Sequence, residues 1–376
     1  MKEGWTYKKL GDCVIKIPKT RHVKSKDYKS IGKYPIVSQE KEIVSGYWDD
    51  EEYLFKHSSP VIIFGDHTKE IKYIDFDFVV GADGTQILQP KDSIVPKFFY
   101  YALKNTPLRS LGYARHFKLL KEQYFYIPPL SEQQQIVDRL DSAFAKIDAV
   151  KANAEKQLND AKALFQKELS KAMTPKEGWE KKKLGGVCDI FGRIGFRGYT
   201  TKDLVDSPDK GAISLSPSNI QDGQMDYSKC TYISWYKYEE SPEIKINNGD
   251  ILLVKTGSSY GKSALVENLP HEATINPQSV VLKNCKIDIK YFAYFLKTKT
   301  VLKQFDDFVS GTAIPTFSQA KLGSVLIMYP SSSEQQAIVT HLDTLSEKLK
   351  TVEEKQKAIM VECDAMKQAL LREVFE

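Results

Sequence analysis

Two stretches of this chain, residues 130–174 and 331–376, contain no glycine, proline, tyrosine or tryptophan, although the whole sequence has 21, 16, 20 and 4 of them. Pro129 and Pro175 bracket the first stretch and Pro330 precedes the second. Glycine and proline interrupt helices, so their absence over such a length permits a long one. The apolar pattern agrees. Val137, Leu140, Phe144, Ile147, Ala154, Leu158, Ala161 and Phe165 advance by alternating steps of three and four, with Lys151 as the polar member. Ile338, Leu342, Leu345, Leu349, Val352, Ile359, Cys363, Met366 and Leu370 do the same, with Gln356 in the polar place. This is the seam of a coiled coil. Each helix would run about 43 residues, or about 65 Å. One seam cannot bury itself, and a whole globular segment lies between the two. The simplest solution packs them antiparallel, with Lys151 and Gln356 as candidates for fixing the register.

The chain also repeats. Glu3-Gly4-Trp5 with Lys8-Lys9-Leu10-Gly11 recurs as Glu177-Gly178-Trp179 with Lys182-Lys183-Leu184-Gly185, at an offset of 174. Ser131-Glu132-Gln133-Gln134 recurs as Ser333-Glu334-Gln335-Gln336, at an offset of 202. Ala163-Leu164 recurs as Ala369-Leu370 at 206, which predicts about one extra turn in the second helix. Ser131 and Ser333 read as N-caps, with Gln134 and Gln336 completing capping boxes. The division is therefore 1–128 globular, 129–173 helix, 174–330 globular and 331–376 helix. The globular segments read as α+β. Strand-like runs include Val61–Phe64, Phe78–Val80 and Ile251–Val254, with helices expected near 97–105 and 290–304. Asp83-Gly84 and Asn248-Gly249 mark turns.

Five scattered cysteines without a CxxC pair argue against a disulfide framework or a zinc ribbon. With no long apolar run and no apolar leader, a reduced cytoplasmic protein without a membrane span is expected. The net charge of +5 is uneven: +5 in 1–128, 0 in 129–173, +3 in 174–330 and −3 in 331–376. The basic excess sits in the globular segments, where a polyanion would meet it.

No catalytic pattern is complete. Gly257-Ser258-Ser259-Tyr260-Gly261-Lys262-Ser263 imitates a phosphate loop but leaves three residues, not four, before Gly-Lys. Glu243-Ile244-Lys245 and Glu70-Ile71-Lys72 are the acidic-x-lysine triplets a metal nuclease would use, and Asp66-His67 near Ser58-Ser59 lacks a nucleophile elbow. The histidines form no metal cluster. The basic and aromatic run Gly112-Tyr113-Ala114-Arg115-His116-Phe117-Lys118 instead suits phosphates and base edges, as does the Lys255–Lys262 loop. In the second half Ser310-Gly311-Thr312-Ala313-Ile314-Pro315-Thr316-Phe317-Ser318 occupies the corresponding place.

At these residues the chain resembles the specificity subunit of type I restriction–modification systems. The resemblance rests on the Gly-Trp…Leu-Gly opening of each half and on Gly112-Tyr113-Ala114-Arg115 leading to Ile127-Pro128-Pro129-Leu130-Ser131-Glu132-Gln133-Gln134. It rests also on Gly249-Asp250-Ile251-Leu252, the Gly257 loop, Asn276-Pro277-Gln278 and the second Ser-Glu-Gln-Gln, where Ser331-Ser332 replaces Pro-Leu. It implies two α+β target-recognition domains joined by two long antiparallel coiled-coil helices in a pseudo-two-fold repeat. Each domain would read one half of a split double-stranded DNA site. The helices would set the spacer and dock two modification subunits, with restriction subunits as further partners. The chain itself would be non-catalytic and carry no cofactor and no metal. S-adenosylmethionine, ATP and Mg would belong to the partner subunits. Chemistry, position and resemblance together select Arg115, His116, Lys118, His67, Thr68, Thr85 and Gln86 in the first half. In the second they select Lys255, Thr256, Ser258, Ser259, Tyr260, Lys262, Thr312, Thr316 and Ser318. A stand-alone nuclease built on Glu243 and Lys245, and a coiled-coil scaffold without DNA function, are the rival readings.

Overall fold

Each half is closed by a two-stranded antiparallel ribbon made from its two ends. In the first half Thr6–Lys9 pairs with Tyr124–Ile127, placing Thr6 opposite Ile127. In the second Glu180–Lys183 pairs with Leu326–Tyr329, placing Glu180 opposite Tyr329. The sequence offsets of 174 and 202 carry one register onto the other without a slip. These relations come from a computed structural model that describes residues 4–18, 20–82, 84–110, 112, 114–193, 198–309 and 314–376. The glycine before each tryptophan has a left-handed backbone, with φ +82° at Gly4 and +88° at Gly178, which side-chain-bearing residues avoid. The Trp5 indole N–H then donates to the Glu132 carboxylate at 3.1 Å. The second copy differs. Trp179 packs edge-on against Tyr291, and Glu334 pairs with Lys176 at 3.0 Å.

Behind each ribbon lies a four-stranded antiparallel sheet of repeated order. Its strands are Val14–Ile15, Thr85–Pro90, Val61–Gly65 and Ile71–Ile74 in the first half, and Asp189–Gly192, Ser279–Lys283, Ile251–Val254 and Ser263–Leu265 in the second. A second, mixed sheet in each half is partly parallel. Tyr34–Val37 lies beside Phe78–Gly81, and Gly211–Leu215 beside Ala273–Ile275. In the first half His22–Val23 adds a further parallel pair with Phe78–Gly81. The central strands are buried on both faces, hence the continuous runs of Val, Ile and Leu. The expected helix near 97–105 is Pro96–Lys104. The one near 290–304 is two helices, Ile289–Phe295 and Lys299–Phe308. Thr298 breaks the run because its hydroxyl accepts the Val301 N–H as a cap.

The long helices span Leu130–Ala172 and Ser332–Phe375. Between the repeated Ser-Glu-Gln-Gln and Ala-Leu blocks both stretches are continuous helix, and the second holds four more residues, about one turn. Two compact units form, Met1–Gln157 with Lys355–Glu376 and Leu158–Glu354, and each combines one globular half with part of both long helices. Within the first unit, Arg139 pairs with Glu373, Lys151 with Asp364 and Gln157 with Gln356. Rising numbers meet falling numbers, so the helices are antiparallel. Within the second unit Lys162 meets Glu353 in the same sense. The two polar seam positions are both partnered. Gln356 is buried and donates to Gln157 at 3.0 Å, and Lys151 reaches Asp364 at 2.7 Å.

The N-cap expectation is corrected by two residues, because the helices begin at Leu130 and Ser332. Ser131 and Ser333 lie inside the first turn, and the group that organises it is the glutamine two positions later. Gln133 is fully buried. Its amide donates to Pro128 O at 2.8 Å and Ser93 O at 3.1 Å, and accepts from Val95 N at 2.7 Å. Gln335, also buried, donates to Pro330 O at 2.8 Å and accepts from Asp288 N at 2.9 Å. The amide places two N–H donors and an acceptor oxygen on separate atoms at the end of a long side chain, so it can meet several backbone groups at once, whereas a serine hydroxyl has one proton to give.

Candidate nucleic-acid interface

In each half, the loop that leaves the third strand of the four-stranded sheet is tied to the segment preceding the last short helix. The first loop follows Val61–Gly65. Asp66, 3% exposed, holds it. Its backbone N–H donates to Gly84 O at 2.8 Å, and its carbonyl accepts from His116 N at 2.8 Å. The His116 ring nitrogen Nδ1 lies 3.0 Å from the same carbonyl and so carries the proton. The Asp66 carboxylate accepts the Phe117 N–H at 2.7 Å, and Arg115 Nε stands 3.9 Å away. Gln39 fastens the other side, accepting from His67 N at 3.1 Å and from the Thr68 hydroxyl at 2.6 Å. Gly84 has φ +95°, a left-handed backbone that side-chain-bearing residues rarely adopt.

This arrangement sorts the first-half candidates. Arg115, Lys118 and Thr68 are exposed, and His67 and Gln86 are half-buried. His116 and Thr85 are not surface groups. His116 is buried against Asp66, and Thr85 is buried with its hydroxyl donating to Gly81 O at 2.7 Å. Both hold the loop instead of lining it. Lys72 of the Glu70-Ile71-Lys72 triplet is likewise buried, donating to the carbonyls of Ser38 and Glu42. Burial pushes its pKa down.

The second loop joins Ile251–Val254 to Ser263–Leu265, so the phosphate-loop imitation is a hairpin turn with no helix after it. Gly257 and Gly261 both have left-handed backbones. Gly257 N donates to Pro315 O at 2.9 Å, Phe317 N to Lys255 O at 3.2 Å, and the hydroxyls of Thr256 and Thr316 meet at 2.9 Å. Gln278 O accepts from Lys255 N and Thr256 N. Phe317 is buried, stacked on Phe305 at 5.2 Å and met edge-on by Tyr260. The Tyr260 hydroxyl donates to Asp306 at 2.7 Å, and this bond raises its pKa. Ser258, Lys262 and Ser318 are exposed, while Lys255, Thr256, Ser259, Tyr260 and Thr316 are half-buried. Ser318 also caps the helix Gln319–Gly323 through Lys321 N. Thr312 lies outside the described residues, as do Tyr113 and Ser310, Gly311 and Ala313.

Sequence reasoning missed Gln39 and the structural roles of Gln278 and Asp66 in building the loops. Asp66 stood out in the sequence only through catalytic readings. A buried polar residue directly after an apolar strand is a signal for such a bracket. Among the described residues no three His, Cys, Asp or Glu side chains gather as a metal site, and no helix is long and apolar enough to cross a membrane. Glu243 lies in a short 3₁₀ turn, and Lys245 pairs with Glu239.

The chain is 27% identical over 343 residues to the type I restriction enzyme EcoR124I/EcoR124II specificity subunit of Escherichia coli, covering 85% of this chain and 81% of that protein. It is 22% identical to the EcoKI specificity subunit of Escherichia coli K12, covering 77% and 67%. A structure solved for complex assembly and conformational transition of the type I R-M system shares the fold, with a TM-score of 0.67 and 18% identity over 100% of this chain and 98% of that one. A profile described as the type I restriction modification DNA specificity domain matches residues 2–160 and again 176–360. With both halves matched in turn, the chain belongs to the type I restriction-modification DNA specificity family.

Proposed function

We propose that this chain directs a type I restriction–modification complex to a two-part DNA target. Each globular half reads one half-site through its loop cluster. The observation that supports this is a repeated frame carrying unrelated loops: the ribbons share one register, while one loop is held by a carboxylate and the other by paired threonines. Exposed Arg115, Lys118 and Lys262 suit phosphate and base-edge contacts. The chain acts by recognition, without chemistry of its own. Two modification subunits dock on the long helices and bring S-adenosylmethionine, and restriction subunits bring ATP and Mg. Helix length sets the gap between half-sites, and with it their angular phase.

Genome-wide mapping of methyl-adenine, with and without the gene, tests this reading. Loss of a two-part motif with one fixed gap is expected when the gene is removed. An unchanged map in cells that express the modification subunit would overturn it. Exchange of residues 1–128 for another globular half should alter one half-site and leave the other intact.

A further inference from the structure

The long helices carry a second duplicated contact, eight residues beyond the buried glutamines. In the first half Asp141 accepts the Tyr101 hydroxyl at 2.5 Å and pairs with Lys97 at 2.7 Å. In the second, Asp343 accepts the Tyr294 hydroxyl at 2.8 Å and pairs with Lys290 at 3.0 Å. Gln133 and Asp141 map onto Gln335 and Asp343 at an offset of 202, whereas Lys97 and Tyr101 map onto Lys290 and Tyr294 at 193. Two different offsets thus converge on one contact. The intervening pattern is also shared, because Phe99 and Phe292 stand between the lysine and the tyrosine and both are fully buried. Burial and the aspartate bond together drive both tyrosine pKa values upward, so these hydroxyls stay protonated donors.

We infer that these residues form a two-point clamp that fixes the angle of each globular half on its own helix, and that the clamp sets how strictly the complex measures the gap between half-sites. The inference rests on the proposed bipartite reading. One contact at the helix start is a pivot. A second contact eight residues along, about 12 Å away, resists rotation about that pivot. One base pair more or less in the gap turns a half-site by about 35°. A half held at one point follows such a turn more easily than a half held at two. Gln133, Asp141, Lys97 and Tyr101, with their second-half counterparts, are therefore positioning residues, since they act on the gap through the loops they orient.

The experiment uses the assembled complex in cells and reads the methyl-adenine map by gap length. The wild type should methylate one gap. The Asp141→Ala, Asp343→Ala pair should keep both half-site sequences and raise methylation at gaps one base pair longer or shorter by about tenfold. Tyr101→Phe with Tyr294→Phe removes only the hydroxyls and should give a smaller broadening of the same kind. An unchanged gap spectrum in the methylating variants would overturn the inference, as would parallel loss at every gap in both pairs, because the clamp would then serve folding alone. A wild-type map without any two-part motif would overturn the functional reading instead.

Discussion

The two loop clusters solve one problem with opposite chemistry. Each must fasten a strand-leaving loop to the segment before a short helix. The first uses a buried carboxylate that takes Phe117 N–H and faces Arg115. The second uses backbone bonds around Gly257 and a hydroxyl pair. A charged bracket is strong and directional, but it leaves a costly orphan if one partner goes. A backbone bracket is spread over several weaker bonds, each of which is dispensable. The first loop should therefore be brittle and the second tolerant.

Asp66→Ala is the most severe way to break the comparison. It orphans the Phe117 N–H, and a loss of about 1–3 kcal/mol in chemical unfolding is expected. A cost equal to that of the matching second-half change would remove the distinction between brackets. That matching change, Thr256→Val, removes one neutral hydrogen bond and should cost about 0.5–1.5 kcal/mol. Arg115→Ala separates holding from reading. Its side chain is 70% exposed, so stability should move by less than about 0.5 kcal/mol. Binding of the assembled complex to its site should weaken, with the salt slope reduced by about one, as titration at several salt concentrations would show. An unaltered slope would remove Arg115 from the interface.

A pH-dependent effect sharpens the contrast elsewhere. Each clamp helix is followed or ended by a lysine whose pKa burial lowers, Lys104 and Lys297, and Lys297 falls to about 8 while facing Glu267 and Tyr294. Between pH 8 and the ordinary lysine value the unfolded chain binds the extra proton, so protonation opposes folding. This opposition is complete below pH 8 and fades as pH rises toward 10.5. Lys297→Met should therefore raise Tm most at pH 7–8, and its advantage over the wild type should shrink by pH 10. A constant advantage across that range would show that packing, not the proton, is responsible.

Much of the frame was legible beforehand, for physical reasons that differ by element. The long helices announce themselves because a seam needs a strict three-four spacing, and the duplication because short segments recur at constant offsets; the ribbons that those segments build were not foreseen. The capping serines misled because Ser-x-x-Gln fits a common local pattern, whereas Gln133 and Gln335 act on loops far away in sequence. The Lys-x-Phe-x-Tyr repeat at offset 193 was equally visible, yet it has no meaning until Asp141 and Asp343 are seen beside it. The loops were harder. His116 and Thr85 have the chemistry of a surface contact, and only the packing of Asp66 and Gly81 turns them inward.

The closed ribbons bear on how such a chain tolerates change. Because the two ends of each half are hydrogen-bonded neighbours, everything between them is a loop whose closure entropy grows only with the logarithm of its length, about 0.6 kcal/mol per doubling. The second half spans 28 more residues between its ribbon strands than the first, the difference between offsets 174 and 202, without moving the register. An insert of new length therefore meets almost no thermodynamic resistance at its boundary, provided that it folds.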